Sequence, residues 1–463
     1  DDLQEGDKFG QSVALWQERA AVGARGDDAA APNAGAVYVY ALQNGEWQPE
    51  AVLIAEQPQA GEQLGQSVAL RGHTLAAGAR YADGAAEDAG AVLVFERQGG
   101  AWVQTARLTA SDGEQNDQFG TRVVLGEDLL LVGVPLEDEL GTTAGAVYVF
   151  EREGGEWVQT AKLTASDGSG FNRFGQGLDT DGQRILVGAW GNDNFLGAAY
   201  VFEREGGAWV ETSKLTPPDG TFGNRFGWSV SLQGDLAAVG SPYFETVLGW
   251  PCGTVYVFSH ADGEWIWEGR VDEGEDSFGA DLLGHAVALC DSFLIAGAPS
   301  EGKWEGTDSG KMYVYEKEED EWVKRWELEV DPPEEKARLG WGLSCSSGRV
   351  LGGYNNQFNE GGGGAFIFDL LLTTSLQEPQ RREAGFDLFP NPARDRVNVR
   401  LPLAPAQSEL LLYDQLGRRL RQWAVEQPGL LQLNLGDLEP GLYYLSLHDE
   451  ASGRHISRKL VVR

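Results

Sequence analysis

The 463-residue sequence predicts an all-β chain, a seven-bladed β-propeller followed by a small Ig-like β-sandwich. Three observations predict it. A unit of roughly 55 residues recurs seven times, the mark of a repeat architecture. Each unit holds four short runs rich in Val, Leu and aromatics, bounded by Gly, Asp and Asn, and none is long enough to favour a helix. The composition, 63 Gly and 15 Trp with 42% apolar residues, suits neither a helical nor a disordered chain.

The first element of the unit is Phe9-Gly10-Gln11-Ser12-Val13-Ala14-Leu15, repeated as Leu64-Gly65-Gln66-Ser67-Val68-Ala69-Leu70. It returns at Phe119-Gly120, Phe174-Gly175, Phe226-Gly227, Leu283-Gly284 and Leu339-Gly340, so blades start near 7, 62, 117, 172, 224, 281 and 337. The second element carries a glycine thirteen residues later: Gly23, Gly78, Gly133, Gly188, Gly240, Gly297 and Gly353. The third reads Gly35-Ala36-Val37-Tyr38-Val39-Tyr40 or Gly145-Ala146-Val147-Tyr148-Val149-Phe150. The fourth places Trp47, Trp102, Trp157, Trp209, Trp265 and Trp322 twelve residues beyond the third element's glycine, a periodicity that assigns these rings to packing. Small residues belong on innermost strands, because backbones converging on the axis leave no room for large side chains.

These blocks resemble the FG-GAP repeat family, the propeller repeat also found in integrin α heads. The resemblance implies that the FG strand is innermost, then the GAP strand, the GAVYVF strand and the Trp-bearing strand. Calcium is the cofactor that the resemblance admits, through DxDxDG loops between strands one and two. Here those turns are short, and Asp179-Thr180-Asp181-Gly182 reads as a tight hairpin lacking the six to eight or so oxygen ligands calcium wants. No cofactor or metal is therefore expected. Blade seven lacks a tryptophan strand after Gly364-Ala365-Phe366-Ile367-Phe368, so it is expected to have three strands and an exposed edge. The equivalent of Lys162-Leu163-Thr164-Ala165 would fall just upstream of residue 1, which predicts a longer precursor.

The propeller is expected over 1–376, a linker over 377–385, and a second domain over 386–463. There, Phe389-Pro390-Asn391-Pro392 is followed by strand-like runs, Tyr413-Asp414-Gln415-Leu416-Gly417-Arg418, Leu438-Glu439-Pro440-Gly441-Leu442-Tyr443, and a terminal Lys459-Leu460-Val461-Val462. That order looks like the type A C-terminal sorting domain of the type IX secretion system. The resemblance makes Pro390, Asn391, Pro392, Asp414, Gly417, Gly441, Tyr443, Lys459, Leu460, Val461 and Val462 the sorting signal. It implies export across the outer membrane of a Bacteroidota-like bacterium, with the secretion machinery and its sortase-like protease as partners. The product would be extracellular or attached to the outer-membrane surface.

The net charge of −35, from 36 basic and 71 acidic residues, excludes nucleic-acid binding, which needs a basic footprint. The charge is concentrated in the propeller, because residues 380–463 carry 12 basic and 10 acidic residues. Cys252, Cys290 and Cys345 are widely spaced without a CxxC, so neither a zinc ribbon nor a disulfide framework is signalled. No apolar stretch is long enough to span a membrane, and a monomer is expected.

In this topology the four-to-one and two-to-three loops share one face, called the top. In blades one to three they carry Asp27, Asp28, Asp83, Glu87, Asp88, Glu137, Asp138 and Glu139, for most of which a solvated setting is expected. In blades four to six they turn aromatic, with Trp190, Phe195, Phe222, Tyr243, Phe244, Trp250 and Trp304. Residues following the FG glycines, Gln11, Gln66, Thr121, Gln176, Trp228, His285 and Trp341, are expected at the channel mouth. Trp190, Tyr243, Phe244, Trp250 and Trp304 are the expected ligand-binding residues, since exposed rings beside polar groups suit a glycan or protein ligand. Capping of the blade interfaces is the alternative. Arg25-Gly26-Asp27 spells a tripeptide that some integrins read, and chance accounts for it. His285 has no second histidine at ligand spacing and reads as a hydrogen-bonded wall residue.

No nucleophile elbow, HExxH or phosphate loop is present. The leading reading is a secreted or surface-displayed binding and adhesion module for a protein or polysaccharide. The alternatives are a polysaccharide lyase or hydrolase on the same scaffold and a structural surface-layer component.

Overall fold

The computed structural model describes residues 6–245, 251–273, 281–300, 309–319, 321–330, 337–354, 363–370, 387–389, 396–401, 408–414, 419–425, 429–436, 438, 441–449 and 454–462. The chain separates into two units, Asp1–Leu371 and Leu372–Arg463, each described by itself.

The four runs of the first repeat become Phe9–Trp16, Arg19–Ala24, Ala36–Gln43 and Glu46–Leu53, paired in chain order as one antiparallel sheet. Five more sheets repeat that order, and a seventh has three described strands, Gly342–Ser346, Arg349–Tyr354 and Gly364–Asp369. The result is a seven-bladed β-propeller. The innermost strands of blades two to six are Leu64–Arg71, Arg122–Leu125, Gly177–Thr180, Ser229–Gln233 and Ala286–Cys290.

Turn chemistry explains the outer hairpins. Asn44-Gly45, Gly99-Gly100, Gly154-Gly155, Gly206-Gly207 and Asp262-Gly263 all have positive φ at both positions, as a type I′ turn demands. The alternation of the outer strand, seen in Ala101–Leu108, leaves one face in water. The recurring tryptophans lie half-buried there against the core between blades. The guanidinium of Arg152 covers Trp157 at 4.7 Å, and that of Arg204 covers Trp209 at 4.6 Å.

Apolar layers form between consecutive blades. Ala76, Val92 and Val94 of blade two pack with Val123, Leu130 and Val132 of blade three in one buried cluster. Phe119 meets Tyr148 and Phe150 edge-on at 5.6 and 6.0 Å. Polar ties add register. Ser12, Ser67 and Ser229 donate to the carbonyls of Gly65, Gly120 and Gly284 in the next blade at 2.7, 2.8 and 2.7 Å. Glu50 accepts from Arg19 of its own blade and from Arg97 and Trp102 of blade two. Single parallel bridges join third strand to next first strand, as in Gly35 to Leu64, and one from Phe9 to Gly363 joins the first and last blades.

The second unit has a three-stranded sheet, Asp387–Phe389, Arg396–Leu401 and Gly429–Asn434, and a four-stranded one built from Arg419–Val425, Ser408–Asp414, Gly441–Asp449 and Arg454–Val462. Val397, Val399 and Leu433 of the first share a buried cluster with Leu410, Leu412, Tyr443 and Leu445 of the second. Backbone pairing aligns Asp414 with Tyr443, and Gly441, Tyr443 and Tyr444 with Val462, Leu460 and Lys459. Pro390, Asn391, Pro392 and Gly417 lie outside the described residues.

Candidate functional site at the channel mouth

All seven innermost strands line a central channel of about 470 Å³. Gln11, Gln176, His285 and Trp341 are in its wall. Gln66, Thr121 and Trp228 stand at the equivalent positions. Thr121 turns its hydroxyl back to the Gln118 carbonyl at 2.8 Å. Trp228 lies 5.7 Å from His285, which lies 4.4 Å from Trp341.

From Trp228 the rings continue outward. Trp190 is 5.4 Å and Tyr243 6.0 Å from it, Phe195 stacks on Trp190 at 5.7 Å, and Phe222 meets Phe195 at 6.5 Å. Phe222 is 76% exposed, so this wall reaches water. Phe244 is not brought to it. That ring packs on buried Tyr256 at 6.3 Å under the Arg270 guanidinium, at the side of blade five. Trp250 and Trp304 lie outside the described residues.

His285 is 7% exposed, and burial together with Arg122 and Arg338 pulls its pKa down to about 3. It is neutral at physiological pH. Its Nδ1, with Trp190 Nε1, Trp228 Nε1 and Gln66 Oε1, is a buried polar atom lacking a hydrogen-bond partner. Such atoms are costly unless something else satisfies them.

Arginines lie beside these rings and beside the mouth amides, and position-by-position reading of the aromatics alone missed them. Arg225 lies over Tyr243 at 4.0 Å and over Trp190 at 4.9 Å. Arg25 donates to Gln11 and, at 2.8 Å, to Gln63, which also accepts from Arg80 at 3.1 Å. Burial and the adjacent Arg80 lower Arg25 to about 10. Comparing equivalent loop positions across the seven units would have exposed the set.

Several loop carboxylates depart from the solvated setting expected of most of them. Asp7, Asp27, Glu62, Asp117, Glu137 and Asp281 are buried. Asp27 accepts from the Tyr38 hydroxyl at 2.7 Å and the Ala29 amide at 2.9 Å, and Glu137 pairs with Lys162 at 2.9 Å. They are buried because loop amides and tyrosine hydroxyls need acceptors. The Arg25-Gly26-Asp27 tripeptide is accordingly folded inward, with Asp27 3% exposed.

Asp181 shapes the hairpin read in the sequence, accepting from Gln183 and Arg184 amides at 2.9 and 2.7 Å. Asp179 lines the channel and turns its carboxylate to the next blade, accepting from the Leu232 amide at 2.8 Å and from Ser231 Oγ at 3.0 Å. Burial pushes its carboxyl up to about 6. Lower in the same channel, Cys345 donates to the Leu289 carbonyl at 3.7 Å beside Cys290, and the three cysteines are free thiols.

The sequence model described as FG-GAP repeat matches residues 1–40, 47–95, 102–150, 157–202 and 209–258. The chain belongs to the FG-GAP repeat family. Residues 387–463 match the family described as secretion system C-terminal sorting domain. This FG-GAP protein is therefore exported to the cell surface or the extracellular space. Among the described residues no helix is long and apolar enough to cross a membrane. Human integrin alpha-11 is 32% identical over 143 residues, 27% of this chain and 12% of the integrin's length. Among solved structures, Sqt1 from Chaetomium thermophilum is 14% identical with a TM-score of 0.45, covering 79% of this chain and 82% of its own. The β-propeller domain of the Trilobed protease from Pyrococcus furiosus is 11% identical with a TM-score of 0.43, covering 77% and 94%.

Proposed function

We propose that this FG-GAP protein is an exported binding and adhesion module that holds a protein or polysaccharide ligand on the upper mouth of its propeller channel. The carrying observation is the continuous aromatic wall from Trp341 through His285, Trp228 and Trp190 to exposed Phe222. Rings that stay rigid lose little entropy on binding and offer both apolar faces and polar edges, which is what a sugar or a protein surface needs. The tail is read as an Ig-like sandwich that the secretion machinery recognises and its sortase-like protease removes.

Glycan and protein arrays probed with the full chain test this reading. Wild type is expected to retain a defined set of ligands, and Trp228→Ala and Trp341→Ala to weaken binding at least about tenfold, the loss typical of an interface aromatic. Trp267→Ala, at an exposed outer-strand ring 43% accessible, serves as the control. The reading fails should the mouth variants bind like wild type, or wild type bind nothing.

A further inference from the structure

Three positions of the repeat face the channel mouth, and their residue types are not those of the rest of the chain. The residue before each FG strand is Lys8, Gln63, Gln118, Arg173, Arg225, Leu282 or Arg338. All seven are half-exposed with φ between 57° and 64°, a region where glycine would be favoured by about 1–2 kcal/mol. Four of them are nevertheless cations. The residues two after the GAP glycines add Arg25 and Arg80, and the residues after the FG glycines are amides, a threonine, aromatics and His285. No Asp or Glu occupies any of these described positions, in a chain where acids outnumber bases 71 to 36.

The pairing pattern is equally distinct. On the second to fourth strands of the blades, Arg19, Arg97, Arg152, Arg204, Lys317 and Arg325 each hold a carboxylate. Arg25, Arg80, Arg122, Arg173 and Arg225 form no ion pair within 4.0 Å among the described residues. Their partners are neutral: Gln11 and Gln63 for Arg25, Gln63 for Arg80, the Gln176 carbonyl at 3.0 Å for Arg122, and aromatic faces for Arg173 and Arg225. Burial lowers the pKa of Arg25, Arg80, Arg122 and Arg173. Crowded guanidinium groups without counter-charge hold a positive potential that an incoming anion relieves.

Resting on the binding role proposed above, we infer that the mouth takes an acidic polysaccharide, its carboxylates paired with Arg25, Arg80, Arg173 and Arg225 and its sugar rings stacked on Trp190, Trp228 and Trp341. Interleaving of cations with flat rings is what separates this ligand from a simple anion. A guanidinium matches a carboxylate in a planar, two-pronged geometry, while the neighbouring indole covers a sugar face. Duplex nucleic acid does not fit, since the −35 body offers no basic footprint beyond the mouth.

Titration of the full chain with polygalacturonate oligomers, neutral dextran oligomers of equal length and poly-glutamate decides the matter. Polygalacturonate is expected to bind at least about tenfold more tightly than either, and to weaken as NaCl rises from about 50 to about 500 mM. Arg25→Gln with Arg80→Gln, remote from the aromatic wall, is expected to cost about tenfold or more, as is Arg173→Gln, which tests the opposite side should the double variant misfold. Arg325→Gln on an outer strand should change nothing. Equal binding of dextran overturns the acidic ligand and leaves the binding role standing. Equal binding of poly-glutamate overturns the sugar. Binding of none of the three overturns this inference, while ligands retained on the arrays would leave the broader role intact.

Discussion

His285 shows how a single side chain couples the site to stability. Unfolded histidine takes up a proton below about 6.5, whereas the folded His285, facing Arg122 and Arg338, refuses it until about 3. Protons therefore favour the unfolded chain throughout that window, and stability falls as pH is lowered through it, by up to about 1.4 kcal/mol per pH unit. Asp179 opposes this with the reverse sign. Its carboxyl stays protonated to about 6 in the fold and to 3.8 in the unfolded chain, so its contribution is full below 3.8 and is lost as pH rises through 6. Urea midpoints of His285→Gln and wild type should converge as pH falls from 7 to about 4. A constant gap would mean that His285 takes its proton as readily in the fold as out of it.

At the level of the strand, blade stacking depends on atoms that are not there. A Cβ on Gly78 would sit 1.9 Å from the Gly120 carbonyl of the next blade, with Ser67 Oγ 2.7 Å away. Gly78→Ala should cost about 3 kcal/mol, the upper end of overpacking losses, and Ser67→Ala about 1 kcal/mol for its inter-blade hydrogen bond. Denaturant melts read both; an unchanged midpoint for Gly78→Ala would show that the blades can separate freely. This geometry is why the repeat was legible: positions where backbone touches backbone tolerate few residues, so Phe9-Gly10 and Phe119-Gly120 stay recognisable in the sequence. The mouth is different. Arg25, Arg80, Arg173 and Arg225 come from four blades, and they become one surface only when equivalent loop positions are compared across the repeats and placed on the ring that gathers those loops at one mouth. The inward-facing Asp27 and Glu137 were hidden for another reason, since a loop carboxylate is ordinarily solvated and its tyrosine or lysine partner lies elsewhere in the unit.

Across the whole ring, blade seven is the departure from sevenfold equivalence. Third strands elsewhere are buried, as in Ala146–Glu153, whereas every residue of Gly364–Asp369 is half-exposed. With no fourth described strand beside it, this strand should lose its amide protection first. Hydrogen exchange followed by mass spectrometry is expected to show it exchanging ahead of the six other third strands, and equal protection would refute this. The seam with blade one is held by the Leu15 and Gln17 amides donating to Ser344 and Ser346 at 2.9 Å, and by the Phe9 to Gly363 bridge. That bridge carries a consequence in time. Six blades can stack in order as the chain emerges N-terminus first, but the ring remains an open arc until residue 363 has appeared. The sorting tail, residues 387–463, follows residue 363 in the sequence. Closure of the ring and appearance of the export tag are thus successive in chain order, residue 363 being made before the tag.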